Sequence, residues 1–410
     1  MKSHKQKKSY SPLINLILYA LLLITTPFLL LQNYLQAFIG KLSLLNFQFI
    51  NISIPYIVII ALTIAIILII QNFKYVNLFR ITALIVIAAL MVLGQKMSDF
   101  YFNHSYYELQ HNWHYFAYGI FSFIAYKYFK SKKRSDPAII LFVFLTAISI
   151  STFDEFIQIH ISNRIFDLGD IGKDTWGTII GLVFIYFVIE QGKIINQDWK
   201  IREQKLKSYF QNPRALLVFE MIFTFILLSI SSQLTNTKFI WHTVAISSLI
   251  FIIVFLIIHF SQKKMIKLIF IGVLIIYILG QGVFFLKYRD KGITHYNKGL
   301  TIYKGIPILF FDIMIFENGT FRLVDKKHDF NARDINTICH FSENILIIGS
   351  GHDGLGGNGF PEKHKPQFIF NSVKLKPLQV IILKTPEACK KFNQLKQEGY
   401  NVIFIIHNTC

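Results

Sequence analysis

The side chains able to do chemistry in this chain are few, and they fall close together. His114 and Tyr118 come first, then Asp154-Glu155-Phe-Ile-Gln158, then His160, Arg164, Asp167, Asp170 and Asp174. On a helix, i, i+4 spacing puts His114 and Tyr118 on one face, and Asp154 shares a face with Gln158 while Glu155 sits beside them. Arg164 is a residue type that grips a phosphate or carboxylate headgroup through two parallel hydrogen bonds. The acids suit a cation, an amine or a hard ion such as Mg²⁺ or Ca²⁺, and Asp154 or Glu155 could serve as a general base. No hydroxyl nucleophile, His-rich ligand set or phosphate-cradling loop accompanies them. The pattern therefore leans away from an enzyme, and no metal or cofactor is expected. A purely structural alternative pairs Arg164 with Asp167, Asp170 or Asp174 to fix a loop between two helices.

The elements that must position these residues are membrane helices. The chain has 410 residues, 53% hydrophobic and 16% charged, with 41 Phe and a mean hydropathy of +0.47. Soluble proteins carry about 25% charge. No charged residue lies between Lys8 and Lys41, or between Lys41 and Lys74, and a span needs roughly 20 apolar residues. Nine candidate spans lie near 12–32, 52–71, 79–95, 112–129, 137–156, 174–190, 215–233, 239–260 and 267–286. Lipid cannot satisfy backbone amides, and the segments lack a period of two, so helices rather than a β-barrel are expected. A soluble, secreted or disordered chain is excluded.

The net charge of +19 sits mainly in clusters beside the spans, which argues for topology rather than nucleic-acid binding. Alternate connections starting from the N-terminus hold twenty Lys and Arg, and the others hold five. The N-terminus is thus expected in the cytoplasm of a cell membrane, its first span acting as a signal anchor. Nine spans put the C-terminal segment outside, although Lys287, Arg289 and Lys291 flank the last span as inside residues do. A charge at a span's centre costs about 2.5–3.5 kcal/mol, so several acids at one depth imply a shared polar site. By this topology the acids, His114 and Tyr118 meet at the outer face. Gly177 and Gly181 form a small-xxx-small pair that lets helices approach closely.

From about Ile293 the texture becomes that of a soluble α/β domain. Glu317-Asn318-Gly319 reads as a turn between Phe310–Phe316 and Phe321–Val324. Ile345–Ile348, Val380–Leu383 and Val402–Ile406 read as strands. Thr385 is expected to cap a helix that has Pro386 in its first turn and ends near Gly399. Gly349-Ser350-Gly351 reads as a tight turn, with anion binding through its amides as the alternative. Cys339, Cys389 and Cys410 show no metal or disulfide spacing. Four regions follow: N-terminal helices (1–78), a helical core (79–190), further helices (191–290) and the α/β domain (291–410). Glu220 is expected to snorkel to the cytoplasmic rim or pair with Arg214, and His242 to be a hydrogen-bonded core histidine.

Two resemblances attach to these residues. Over about 79–190, the series His114, Tyr118, Asp154, Glu155, Gln158, Arg164, Asp167, Asp170, Asp174, Gly177 and Gly181 resembles the VanZ-like membrane protein family, named for a protein associated with teicoplanin resistance. That resemblance implies an envelope-associated membrane protein. Residues 293–410, through the Gly-Ser-Gly turn, the Thr-Pro-Glu-Ala helix and the closing strand, resemble a small α/β family. It includes a mitochondrial complex I assembly factor and prokaryotic relatives, which implies a binding or assembly module. The functional expectation is an outward site in the lipid bilayer that binds a lipid-linked envelope component or an amphiphilic antibiotic. The rivals are a proton- or ion-coupled transporter, and a scaffold whose C-terminal module recruits a protein partner.

Overall fold

The computed structural model describes residues 11–26, 38, 45–49, 52–71, 73–98, 109–160, 166–196, 205–234, 240–261, 263–324, 345–356, 369–371 and 375–409. The chain divides into two compact units. The first gathers the helices up to Ser229 together with Val244–His259, and Phe260–Cys410 makes up most of the second.

In the first unit, helix α1 (Pro12–Thr25) precedes a hairpin of β1 (Asn46–Phe49) and β2 (Ile52–Pro55), and helices α2 (Tyr56–Gln71), α3 (Leu78–Ser98), α4 (Leu109–Ser131), α5 (Asp136–Gln158) and α6 (Leu168–Val183) follow it. The short α7 (Leu206–Gln211), α8 (Pro213–Gln233) and α9 (Ile240–Phe260) come next, and α10 (Lys264–Tyr288) leads into the second unit. Six stretches are long and apolar enough to cross a membrane: α3, α5, Leu168–Ile189, Pro213–Ser232, α9 and α10. This is a multi-pass membrane protein. Six of the nine expected spans hold such a helix; within 12–32 the described helix α1 has 14 residues, and within 52–71 strand β2 precedes the 16-residue α2. Helix α4 has 23, yet His111, Asn112, His114, Tyr115 and Tyr118 make it too polar by composition alone.

Burial explains which helix tolerates polar residues. The 168–189 stretch has the lowest mean hydropathy of the six, 1.3, and is 78% buried, whereas α10 has 2.5 and is 0% buried. The most polar span is thus surrounded by protein, and the apolar ones are left to face lipid. Thirteen of the 16 residues of α6 are buried. Its N-terminus is capped by Asp167, whose Oδ1 accepts from the Gly169 amide at 2.6 Å. Beyond Val183 the helix widens into a π-helical stretch, Phe184–Ile189, and the Glu190 N–H bonds the Ile185 carbonyl five residues back.

Close packing of α6 on α4 follows from glycine. A Cβ on Gly177 would stand 2.8 Å from Tyr115 Cα, and one on Gly181 would stand 2.8 Å from the Gly119 carbonyl. On the α3 side, Gly94 admits the Trp176 ring, whose Nε1 donates to the Leu90 carbonyl at 2.9 Å.

In the second unit, β3 (Ile293–Asn297), β4 (Leu300–Tyr303) and β5 (Ile306–Leu309) form an antiparallel meander. A six-stranded sheet has the order β7-β6-β11-β8-β10-β9, built from β6 (Asp312–Ile315), β7 (Phe321–Val324), β8 (Ile345–Gly349), β9 (Ile369–Asn371), β10 (Lys376–Leu383) and β11 (Val402–Ile406). Strand β8 runs parallel to both β10 and β11. Helix α11 (Thr385–Gln397) packs Ala388, Cys389, Phe392 and Leu395 onto one face of the sheet. The turn at Gly319 joins β6 to β7 with a φ of 76°. The residue at the N-cap of α11 is Lys384, not Thr385. Thr385 starts the helix and spends its hydroxyl elsewhere.

Candidate functional site

The polar cluster forms where the N-terminal ends of α4 and α6 meet the C-terminal end of α5. His114 Nδ1 lies 2.7 Å from Asp174 Oδ1, and the other oxygen of Asp174 accepts from Ser151 Oγ at 2.6 Å. Asp174 is 3% exposed and Ser151 is fully buried, so α4, α5 and α6 converge on one carboxylate. His114 Nε2 points along the cluster, 3.8 Å from Asp170 Oδ1. Asp170 in turn accepts from Lys173 Nζ at 2.8 Å. One turn further along α5, Glu155 Oε1 accepts from Gln158 Nε2 at 3.1 Å, and its Oε2 accepts from the Asp167 amide at 2.9 Å. Glu155 thereby ties the end of α5 to the cap of α6.

Against these satisfied groups stand several that are not. Asp154 Oδ1, Tyr118 Oη and both side-chain polar atoms of Gln95 are buried without a hydrogen-bond partner of good geometry among the described residues. Buried polar atoms are ordinarily paired, so Asp154 Oδ1 and Tyr118 Oη stand out beside the satisfied Asp174.

Placed residue by residue, the cluster brings His114, Asp170 and Asp174 into direct sequence, with Tyr118 and Asp154 beside it and Glu155, Gln158 and Asp167 at its rim. Gln158 bonds Glu155, although its helical face is shared with Asp154. Arg164 lies outside the described residues. Among the described residues the cation beside the acids is Lys173, three residues after Asp170. Ser151 was missed. Its signal was its place one turn before Asp154 and Glu155 on α5. Gln95 gave no comparable signal. His160 is exposed and turns to the Ile157 carbonyl at 3.3 Å. Among the described residues no three His, Cys, Asp or Glu side chains are arranged to hold a metal ion.

The opposite end of these helices carries a second polar set. Glu190, on the far side of the π-helical turn, accepts from Lys130 and from Tyr126 Oη, the latter at 2.5 Å. Lys193 pairs with Asp136 at 3.1 Å, and Arg80 Nε donates to the Val188 carbonyl at 2.9 Å. The two sets lie at opposite ends of α4–α6, so Lys130, Lys193 and Arg80 stand apart from the His114 cluster.

Two other expectations meet the structure differently. Glu220 neither snorkels nor pairs: it is 6% exposed, and both its oxygens lack a hydrogen-bond partner among the described residues. Arg214 directs Nε to the Ile194 carbonyl. His242 is exposed rather than core, and its ring lies 6.0 Å from that of Phe310. In the C-terminal domain, Gly349-Ser350-Gly351 forms the tight turn expected, with the Ser350 and Gly351 amides engaged inside the fold. The Ser350 N–H bonds the Leu383 carbonyl at 2.8 Å, and the Gly351 N–H bonds Thr385 Oγ1 at 2.8 Å. Thr385 Oγ1 also donates to the His407 carbonyl at 2.8 Å. The turn is a structural joint between β8, α11 and the end of β11. Cys339 and Cys410 lie outside the described residues.

Neither a protein-family model nor a curated protein matches the chain. Three chains of solved structures match it. One of these, named MT938, is 22% identical, covers 29% of this chain and 98% of its own length, and has a TM-score of 0.23.

Proposed function

We propose that this is a VanZ-like envelope protein of the cell membrane, whose His114–Asp174 cluster binds the polar headgroup of a lipid-linked envelope component or an amphiphilic antibiotic. The observation that carries the reading is the pairing of satisfied and unsatisfied groups at one end of the bundle. His114, Asp174 and Ser151 are locked by mutual hydrogen bonds, while Asp154 Oδ1 and Tyr118 Oη beside them are buried without a hydrogen bond of good geometry among the described residues. A preorganised frame holding idle acceptors suits a hydroxyl- or amine-bearing headgroup. In this reading α1, α2 and α4 also cross the bilayer, giving nine spans. The excess of basic residues on alternate connections then puts the N-terminus in the cytoplasm and both the cluster and the C-terminal domain outside.

The test expresses Asp154→Asn and Tyr118→Phe at wild-type level and measures susceptibility to a glycopeptide and to envelope stress. Loss of tolerance in both variants is expected. Wild-type tolerance in both removes the proposal. An alkaline-phosphatase fusion at the C-terminus checks the orientation, with high activity expected.

A second reading, proton- or ion-coupled transport, is favoured by the near-continuous series Ser151–Asp174–His114–Asp170–Lys173. Proton flux in proteoliposomes that vanishes in Asp174→Asn and His114→Gln would favour it over a pure binding role.

A further inference from the structure

Outside the His114 cluster, the most unusual polar group of the membrane unit is Glu220. It lies seven residues, about two helical turns, into α8. Both carboxylate oxygens are buried and without a hydrogen-bond partner among the described residues. Its side chain helps line a half-open cavity of about 410 Å³ between α5, α7, α8 and α9, within the roughly 300–1,000 Å³ typical of small-molecule sites. Phe144, Tyr209, Phe219, Phe223, Phe251 and Phe255 supply its aromatic wall. The Tyr209 hydroxyl is engaged, 2.9 Å from His259 Nδ1. Glu220 is therefore the one charge-bearing side chain among the lining residues, in a chamber otherwise built from rings and leucines.

The chemistry of that wall selects its occupant. An acidic amphiphile would be repelled by the carboxylate. A purely apolar molecule would fill the chamber and leave the carboxylate unsatisfied, which is costly in a dry site. An ammonium group answers both conditions, since it makes charge-assisted hydrogen bonds with the carboxylate and is attracted to aromatic faces. We propose that this cavity binds a lipophilic amine, with its ammonium on Glu220 and its apolar body among the phenyl rings of α8 and α9.

The test uses the full chain in lipid nanodiscs and two fluorescent probes: a dansyl-tagged octylamine, and the same molecule with its amine acetylated. Wild-type protein should bind the free amine tighter than the acetylated probe by about tenfold or more, the worth of a charged hydrogen bond. Glu220→Gln, close to isosteric, should bind both probes equally. Leu145→Trp, at a half-exposed lining position, should narrow the chamber and weaken both. In an Asp154→Asn background, which removes an acid of the His114 cluster, the part of the preference that depends on Glu220 should remain, and its disappearance there would assign the amine to that cluster and overturn the proposal. Equal affinity for the two probes in wild type, or a preference that survives in Glu220→Gln, overturns the proposal. So does unweakened binding of both probes to Leu145→Trp, because they would then be bound elsewhere.

Discussion

His114 Nδ1 stands 2.7 Å from Oδ1 of Asp174, a residue 60 positions further along the chain. The contact joins α4 to α6, and Ser151 brings α5 to the same carboxylate. Asp174 is nearly inaccessible, with its side chain 4% exposed, whereas that of His114 is 27% exposed. The carboxylate is therefore the fixed centre and the imidazole its accessible arm.

Removing the imidazole should accordingly cost stability as well as chemistry. His114→Ala leaves a buried carboxylate one partner short, a loss of about 1–3 kcal/mol, and more if the carboxylate is charged. Thermal unfolding in detergent should show a lower Tm for His114→Ala, with a smaller drop for His114→Gln. An unchanged Tm for His114→Ala would mean that the pair does not hold the helices together.

Glycine substitutions should separate packed from unpacked helix faces. Gly177→Ala and Gly181→Ala each force a methyl against backbone atoms at 2.8 Å, and overpacking of this kind costs about 1–3 kcal/mol. Gly280→Ala, with nothing within 4 Å of the new Cβ, should be neutral, or stabilising by up to about 1 kcal/mol through helix propensity. Unfolding of the three variants in the same detergent gives the comparison, and equal Tm values would contradict it.

In the C-terminal domain, Thr385→Val should strand the Gly351 amide and the His407 carbonyl, costing about 1–3 kcal/mol. Hydrogen exchange followed by mass spectrometry should accelerate across Gly349–Gly351 and β11, with partial protection restored by Thr385→Ser. Exchange confined to the start of α11 would instead mark Thr385 as a simple helix-start residue.

Burial pushes the Cys389 thiol up from its usual 9.0 to about 12. In a Cys339→Ser, Cys410→Ser background, maleimide should label folded protein at pH 8 on the order of a thousandfold more slowly than unfolded protein. Because the folded-state pKa is the higher one, the stability held by the neutral thiol is complete below pH 9.0 and is lost as pH rises toward about 12. Fast labelling at pH 8, or a denaturation midpoint that rises over that pH window, would contradict this placement.

What could be read from residue order was mostly periodic or local. Charge-free runs located the helices, and Glu317-Asn318-Gly319 located the β6–β7 turn. The approach of His114 to the acids followed from their shared depth. The choice of partners did not follow, because a helix face is a broad arc and the rotamer within it is set by tertiary packing. Thus Gln158 reaches Glu155, and Ser151, a small hydroxyl among apolar neighbours, supplies the second bond to Asp174. Thr385 illustrates the same limit. Its type and position fit a helix cap, but a distant strand end offered its hydroxyl a better partner.

The π-helical turn at Phe184–Ile189 adds a residue to one circuit, and each residue turns a helix by about 100°. Side chains beyond it are out of phase with those before it. That phase offset aims Glu190 at Lys130 and Tyr126. Deleting one residue within the turn would restore ordinary pitch and, because the extra residue is absorbed inside that single circuit, leave Glu190 at about its present bearing. The wide turn is a one-residue reserve: a loss there keeps Glu190 facing Lys130 and Tyr126, whereas a loss from the α-helical part of the span would turn it away by about 100°.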